Sequence, residues 1–317
     1  METIDFEGWK DCIRLANGAL ELVAFTKAGP RIVSLSSPGG ANLFGLLDEF
    51  KGKIGPSNEW TIYGGHRLWH APEYKPRSYQ PDNDPVGVRE EDGDLVLTEA
   101  TEAATGIQKE MAIRLAGDNT PAVQVEHRLT NRGTWAVELA PWALSVVAPG
   151  GRVIFPQAPH KDHGEDNDYL PARPLVMWPF TDMADPRWTW GTNYIQLRSD
   201  ASRDFAQKLG VYSPDAWAAF EAPSGDLLVI FIDLDPFGPE VHADMGSNFE
   251  TFTKGAFQEL ESLGPLVNLG PDETVTHIET WVVLKNPGLP KDDAALAAKL
   301  PALIEQAAKI AEEAFEA

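Results

Sequence analysis

The chain has 317 residues, 43% of them hydrophobic and 23% charged, which are the proportions of a folded globular protein and not of a disordered one. Its 48 acidic residues against 26 basic ones give a formal net charge of -22, a field that repels phosphate backbones and anionic lipid and argues against nucleic acid or a membrane surface as partner. No run approaches the ~20 apolar residues of a membrane-spanning helix. The start, Met1-Glu2-Thr3-Ile4-Asp5, is acidic where a secretory signal would be basic. The lone Cys12 permits no internal disulfide and suits a reducing compartment, so the expected location is cytoplasmic.

Along the chain, short β-rich runs at 12–15, 20–25 and 31–35 alternate with turn signals. Asn17-Gly18, between two apolar runs, predicts a tight hairpin because that pair tolerates the positive φ angles of a type I′ turn. A second β-rich block runs from 86 to 147, with a turn at Asp92-Gly93-Asp94 and strands predicted near 107–115, 123–130 and 136–147. Between 149 and 190 the pattern loosens into Pro, Gly, His and Asp with short strands, and the tryptophans there argue against disorder. Strands resume near 227–232, 258–263 and 275–284. The tail from about 291 to 317 carries Leu300, Leu303, Ala307 and Ile310 at helical spacing and is predicted to pack on the outside. No fixed-period repeat and no linker is visible, so residues 1–317 are expected to form one large antiparallel sandwich with a helical tail.

Three stretches carry a resemblance: Gly64-Gly65-His66-Arg67-Leu68-Trp69-His70-Ala71-Pro72-Glu73, Leu175 to Trp188, and Phe249 through Glu261 to Trp281. Together they resemble an uncharacterised family within the galactose-mutarotase-like superfamily, over nearly the whole chain except the terminal helix. The resemblance implies an all-β, galactose-mutarotase-like antiparallel β-supersandwich whose concave sheet carries a sugar site. The superfamily also holds hydrolases, lyases and non-catalytic members, so this fold leaves the function open.

Mutarotation needs a base for the anomeric hydroxyl and an acid for the ring oxygen. In aldose epimerases the base is a glutamate on a late strand, and Glu261 stands at the matching place. Strand alternation puts Phe257, Glu259, Glu261 and Leu263 on one face. Glu259 is therefore a second candidate, against the alternative of a solvated strand face. The epimerase acid is a histidine on a central strand, but the matching stretch Leu139 to Ser145 has none. His66, with His70 behind it, is the expected substitute. Arg67 offers a planar fork for hydroxyls or a carboxylate, and Trp69 a flat face for a pyranose. The competing reading of this segment is a rigid loop in which His66 caps a turn and Trp69 is core.

His160, with His163 in the acidic stretch 159–168, suggests a cover over the cleft that supplies a side chain to the sugar. A divalent metal there competes with the reading of a solvated loop and matches no defined signature, so no metal and no cofactor is expected. Lys208 can bond sugar hydroxyls or stand as a surface lysine, while Trp178 and His127 read as core. The sequence thus points to a carbohydrate-binding protein acting as an aldose 1-epimerase-like enzyme, with Glu261 as base and His66 as acid. A non-catalytic sugar-binding protein and a glycoside hydrolase or lyase using the same cleft are the alternatives. The oligomeric state is not legible.

Overall fold

Turn chemistry sets the first strands. A hairpin forms at Asn17-Gly18, but as a four-residue connection between Ala16 and Glu21 and not as a type I′ turn: Gly18 has φ +89° while Asn17 is not among the positive-φ residues, and the Asn17 side chain instead accepts the backbone N–H groups of Ala19 and Leu20 at 3.0 and 2.9 Å. Asp92 and Gly93 both take positive φ, 52° and 89°, as a two-residue type I′ connection requires. The computed structural model describes residues 1–163, 169–234 and 236–315.

Strands are numbered along the chain. The first sheet runs in the order β1 (Glu2–Phe6), β2 (Trp9–Ala16), β3 (Glu21–Phe25), β4 (Arg31–Ser36), β5 (His66–Ala71), β10 (Val137–Val146), β19 (Phe257–Leu263), β18 (Phe249–Lys254), β15 (Gln207–Val211) and β12 (Leu175–Met177). A short strand, β20 (Val267–Leu269), also pairs with β10. The second sheet runs β13 (Trp188–Trp190), β14 (Tyr194–Arg198), β11 (Arg152–Pro156), β16 (Trp217–Glu221), β17 (Leu227–Ile232), β21 (Thr274–Leu284), β9 (Ala122–Asn131), β8 (Ile107–Leu115), β7 (Asp94–Thr98) and β6 (Gly87–Glu91). Neighbouring strands are antiparallel in both sheets, so the predicted all-β supersandwich is the observed architecture.

The main core lies between the sheets and includes Leu68, Leu209 and Leu260 from the first and Met111, Val125 and Trp281 from the second. The helix Asp293–Phe315 covers the outer face of the second sheet, laying Leu296, Leu300 and Ala307 against Ile154, Trp217 and Val229. Asp292 caps its first turn through the Ala295 N–H at 3.0 Å. Asp293 accepts the backbone N–H groups of Asn193 and Tyr194 at 3.1 Å each, tying the helix to β14. Among the described residues no long helix covers the outer face of the first sheet, and a separate apolar cluster with Trp69, Trp142 and Leu144 lines it. No helix among the described residues is long and apolar enough to cross a membrane.

Candidate functional site

Strand register assembles the site. Arg67 on β5 pairs with Leu144 on β10, Leu144 with Glu261 on β19, and Glu261 with Glu250 on β18. One rung away, Val146 pairs with Glu259, Glu259 with Phe252, and Phe252 with Lys208 on β15. Directly opposed residues on antiparallel strands point to the same face. The uncovered face of the first sheet therefore gathers Arg67, Glu259, Glu261, Glu250 and Lys208 from four strands.

These groups lie at or just beneath the floor of a cavity of about 320 Å³. One wall is aromatic: Trp69 packs on Trp60, Tyr79 and Trp142 with ring centroids 5.0–5.4 Å apart. The other carries Trp178, Phe180, Phe252 and Phe257. Gly210 leaves room for that wall, since a Cβ there would stand 2.2 Å from Ser247 Oγ and 3.5 Å from the Trp178 ring. Glu73 sits exposed at the rim, where it accepts a hydrogen bond from the Tyr79 hydroxyl.

Glu261 is only 1% exposed. Its Oε2 accepts Trp142 Nε1–H at 2.9 Å and the Lys208 ammonium at 3.0 Å, while Oε1 has no partner. Lys208 also lies 2.7 Å from Glu250 Oε2, and the rings of Trp142 and Trp178 flank its ammonium at 4.8 and 4.7 Å. Burial raises the Glu261 carboxyl above its ordinary range; Lys208 pulls it back and Glu259 pushes it up again. Burial alone would lower Lys208, but Glu250 and Glu261 together hold it above the usual lysine range, so it stays an ammonium. Arg67 contacts Glu259 Oε1 at 2.8 Å, with its guanidinium against the Trp69 ring at 4.7 Å and the Trp60 ring at 5.8 Å.

The arrangement brings together Glu261, Glu259, Arg67, Trp69 and Lys208, five of the residues singled out from the sequence. It leaves out His66, His70 and His160. The segment read as a loop is strand β5, and alternation turns His66 and His70 away from Arg67 and Trp69, into the space between the sheets. There His66 is fully buried, bonding Ser145 Oγ at 2.8 Å and His127 Nε2 at 2.7 Å. His127 Nδ1 donates to the His277 carbonyl at 2.9 Å, so its Nε2 accepts from His66, whose Nδ1 accepts the Ser145 hydroxyl. His66 is thus neutral, closed off and unable to act as the acid of the cleft. His66, His127 and Glu279 also bring three possible metal-ligand atoms within 4.8 Å of one another, but this chain of bonds already uses both imidazole edges that an ion would need.

His70 is held by Glu102 Oε2 at 3.3 Å and by Arg77 at 3.2 Å behind the cleft wall. The His160 side chain is 69% exposed and borders a different cavity, between the second sheet and the terminal helix. Residues 164–168, part of the segment weighed above as a cover or metal loop, lie outside the described residues. Trp178, read as core, instead forms a cleft wall, following the Leu175–Met177 strand at the edge of the first sheet. Trp60, Tyr79 and Trp142 escaped the sequence reading. Only for Trp142 was a signal present, in the alternation of β10 opposite Trp69.

No protein-family model matches the chain, and no curated protein sequence does. Solved structures do match in shape. The Slr1438 protein of Synechocystis aligns over 90% of this chain and 100% of its own, with TM-score 0.57 and 13% identity. A galactose mutarotase-like protein of Lactobacillus casei aligns over 86% and 100%, with TM-score 0.54 and 10% identity. An Escherichia coli protein described as a candidate aldose 1-epimerase aligns over 86% and 99%, with TM-score 0.50 and 15% identity. At these identities the likeness is one of fold, and the chain has the galactose-mutarotase-like fold that its sequence resembles.

Proposed function

We propose that the cleft binds a sugar and that the protein is an aldose 1-epimerase-like enzyme in which Glu261 takes the proton of the anomeric hydroxyl. One observation carries this reading: a buried carboxylate at the floor of an aromatic cleft has one oxygen fixed by two donors and the other free. A base held in this way needs no reorganisation when a hydroxyl arrives. The aromatic walls suit the C–H faces of a pyranose. The two basic groups lining the cleft are each matched by a carboxylate, Arg67 by Glu259 and Lys208 by Glu261, which favours an uncharged sugar over a phosphorylated or uronate one.

Among the described residues no histidine lines the cleft, and the donor to the ring oxygen in this reading is Lys208. Two of its ammonium protons serve Glu250 and Glu261, and the third remains for a ligand oxygen. As Glu261 removes the O1 proton, C1=O forms, the C1–O5 bond breaks and O5 takes the Lys208 proton. Reclosure on the other face returns both protons, so the cycle is balanced.

Proton NMR of the protein with a panel of reducing sugars, following anomeric exchange and line broadening, tests the reading. Accelerated exchange for one sugar, reduced about 10²–10⁴-fold in Glu261→Gln, is the expected result. Full exchange in that variant would remove Glu261 from the role. Broadening without exchange would make this a sugar-binding protein without catalysis, the reading that the missing cleft histidine favours.

A further inference from the structure

The two walls of the cleft differ in chemistry. The wall beside Trp69 carries polar handles: the Arg67 guanidinium, the Glu73 carboxylate and the Tyr79 hydroxyl that donates to it. The facing wall ends in three phenyl rings, Phe180, Phe252 and Phe257, which offer no donor and no acceptor. Phe252 meets Phe180 and Phe257 edge to face, with centroids 6.4 and 6.0 Å apart. Phe252 and Phe257 are half-buried, but Phe180 keeps 46% of its surface exposed. Phe257 shares a strand face with Glu261 and lies about 13 Å from it along β19, farther than one pyranose ring spans. Glu259 stands between them, but Arg67 holds its carboxylate toward the opposite wall at 2.8 Å.

Strand register says which end of a bound sugar meets these rings. Phe252 stands directly opposite Lys208 on the neighbouring strand, and directly opposed residues share a face. In the epimerase reading O5 takes its proton from Lys208, so C5, the other carbon bonded to O5, points its substituent toward the phenyl wall. We infer that the cleft takes a reducing sugar whose C6 carries an apolar group, seated on Phe180, Phe252 and Phe257. A free 6-hydroxyl there would give up its water partners and find none on the rings, which makes its burial costly. An apolar group gains on leaving water and covers the exposed face of Phe180. The inference rests on the epimerase reading for the orientation of the sugar and names the substrate class that the reading leaves open.

Calorimetric titration with D-glucose, D-galactose and D-mannose, each as the parent sugar and as its 6-O-butyl ether, tests it. For at least one ring the ether is expected to bind tighter than its parent by about tenfold or more. Phe180→Ala, a change at an exposed position, brings the ratio of the two dissociation constants close to one, and Phe257→Ala does the same. A second readout needs no variant. Saturating the aromatic protons of the wild-type protein transfers magnetisation to the butyl protons of the bound ether, and the transfer weakens in protein grown with ring-deuterated phenylalanine.

The inference is overturned if every parent binds as tightly as its ether, or if the preference survives both variants. It is equally overturned if isomaltose, which carries a second sugar on O6 of glucose, binds as tightly as the glucose ether. Anomeric exchange, followed in the same samples, judges the epimerase reading separately. Exchange of the parent sugars with no preference for the ethers keeps that reading and sinks this one. A preference for an ether with no exchange keeps this one and sinks that reading, and silence from all six compounds overturns both.

Discussion

Strand β5 separates two buried polar clusters that follow opposite designs. Toward the second sheet, His66, His127, Ser145 and the His277 carbonyl form a chain in which every donor meets an acceptor and no group carries charge. Toward the cleft, the Lys208 ammonium stands 2.7 Å from Glu250 and 3.0 Å from Glu261, and Glu261 Oε1 and Arg67 Nη1 lack hydrogen-bond partners. A closed neutral network fixes the distance between sheets, whereas open valences on a rigid floor await a ligand. The contrast separates the structural histidines from the functional acids, although both sets are equally shielded from solvent.

The largest expected effect comes from Lys208→Met, which leaves Glu250 and Glu261 without a cation. Breaking a buried pair in this way costs about 3–5 kcal/mol. Both carboxyls would then have further raised folded pKa values, so their cost grows as pH rises and shrinks on acidification. Urea unfolding at pH 8 and pH 5 should show the larger loss at pH 8. An equal loss at both would mean that the cluster is held by packing and not by charge.

The histidine side is tested by pH. Burial lowers His127 to about 4, below its ordinary value of about 6.5. The unfolded chain therefore binds the proton first, and stability is lost as pH falls through that window. His127→Gln should flatten the stability–pH slope between those values by about 1.4 kcal/mol per pH unit relative to wild type, leaving the cleft unaltered. An unchanged slope would show that the imidazole is already charged in the folded protein. The smallest effect belongs to His160→Ala. Its side chain is exposed and away from the cleft, so stability should move by less than about 0.5 kcal/mol, with sugar response unchanged. A lost response would bring the 159–168 segment back into the site.

Much of this was legible in the sequence, for identifiable reasons. The Asp92-Gly93 turn followed from the φ angles that those residues permit, and the hairpin at Asn17-Gly18 was foreseen although its four-residue connection, with Asn17 outside the positive-φ region, was not. The shared face of Glu259 and Glu261 followed from a two-residue period. The same period separates Arg67 from His66, but Gly64-Gly65 reads as a loop opening, and in a loop alternation has no force. Trp178 was misplaced because a tryptophan in a β-rich chain fits a core and a cleft wall equally well.

The sequence by itself determined many of the strands (though not β5), the terminal helix and the pairs of residues that share a face. Alternation states which side chains go together, but not which of the two faces another sheet will cover. Only the tertiary structure decided that, by laying the second sheet against His66 and leaving Arg67 open. It also decided the chemistry of Glu261, whose partners Lys208 and Trp142 lie 53 and 119 residues away along the chain. Such partners meet through the register of neighbouring strands, a property of the sheet that no local pattern encodes.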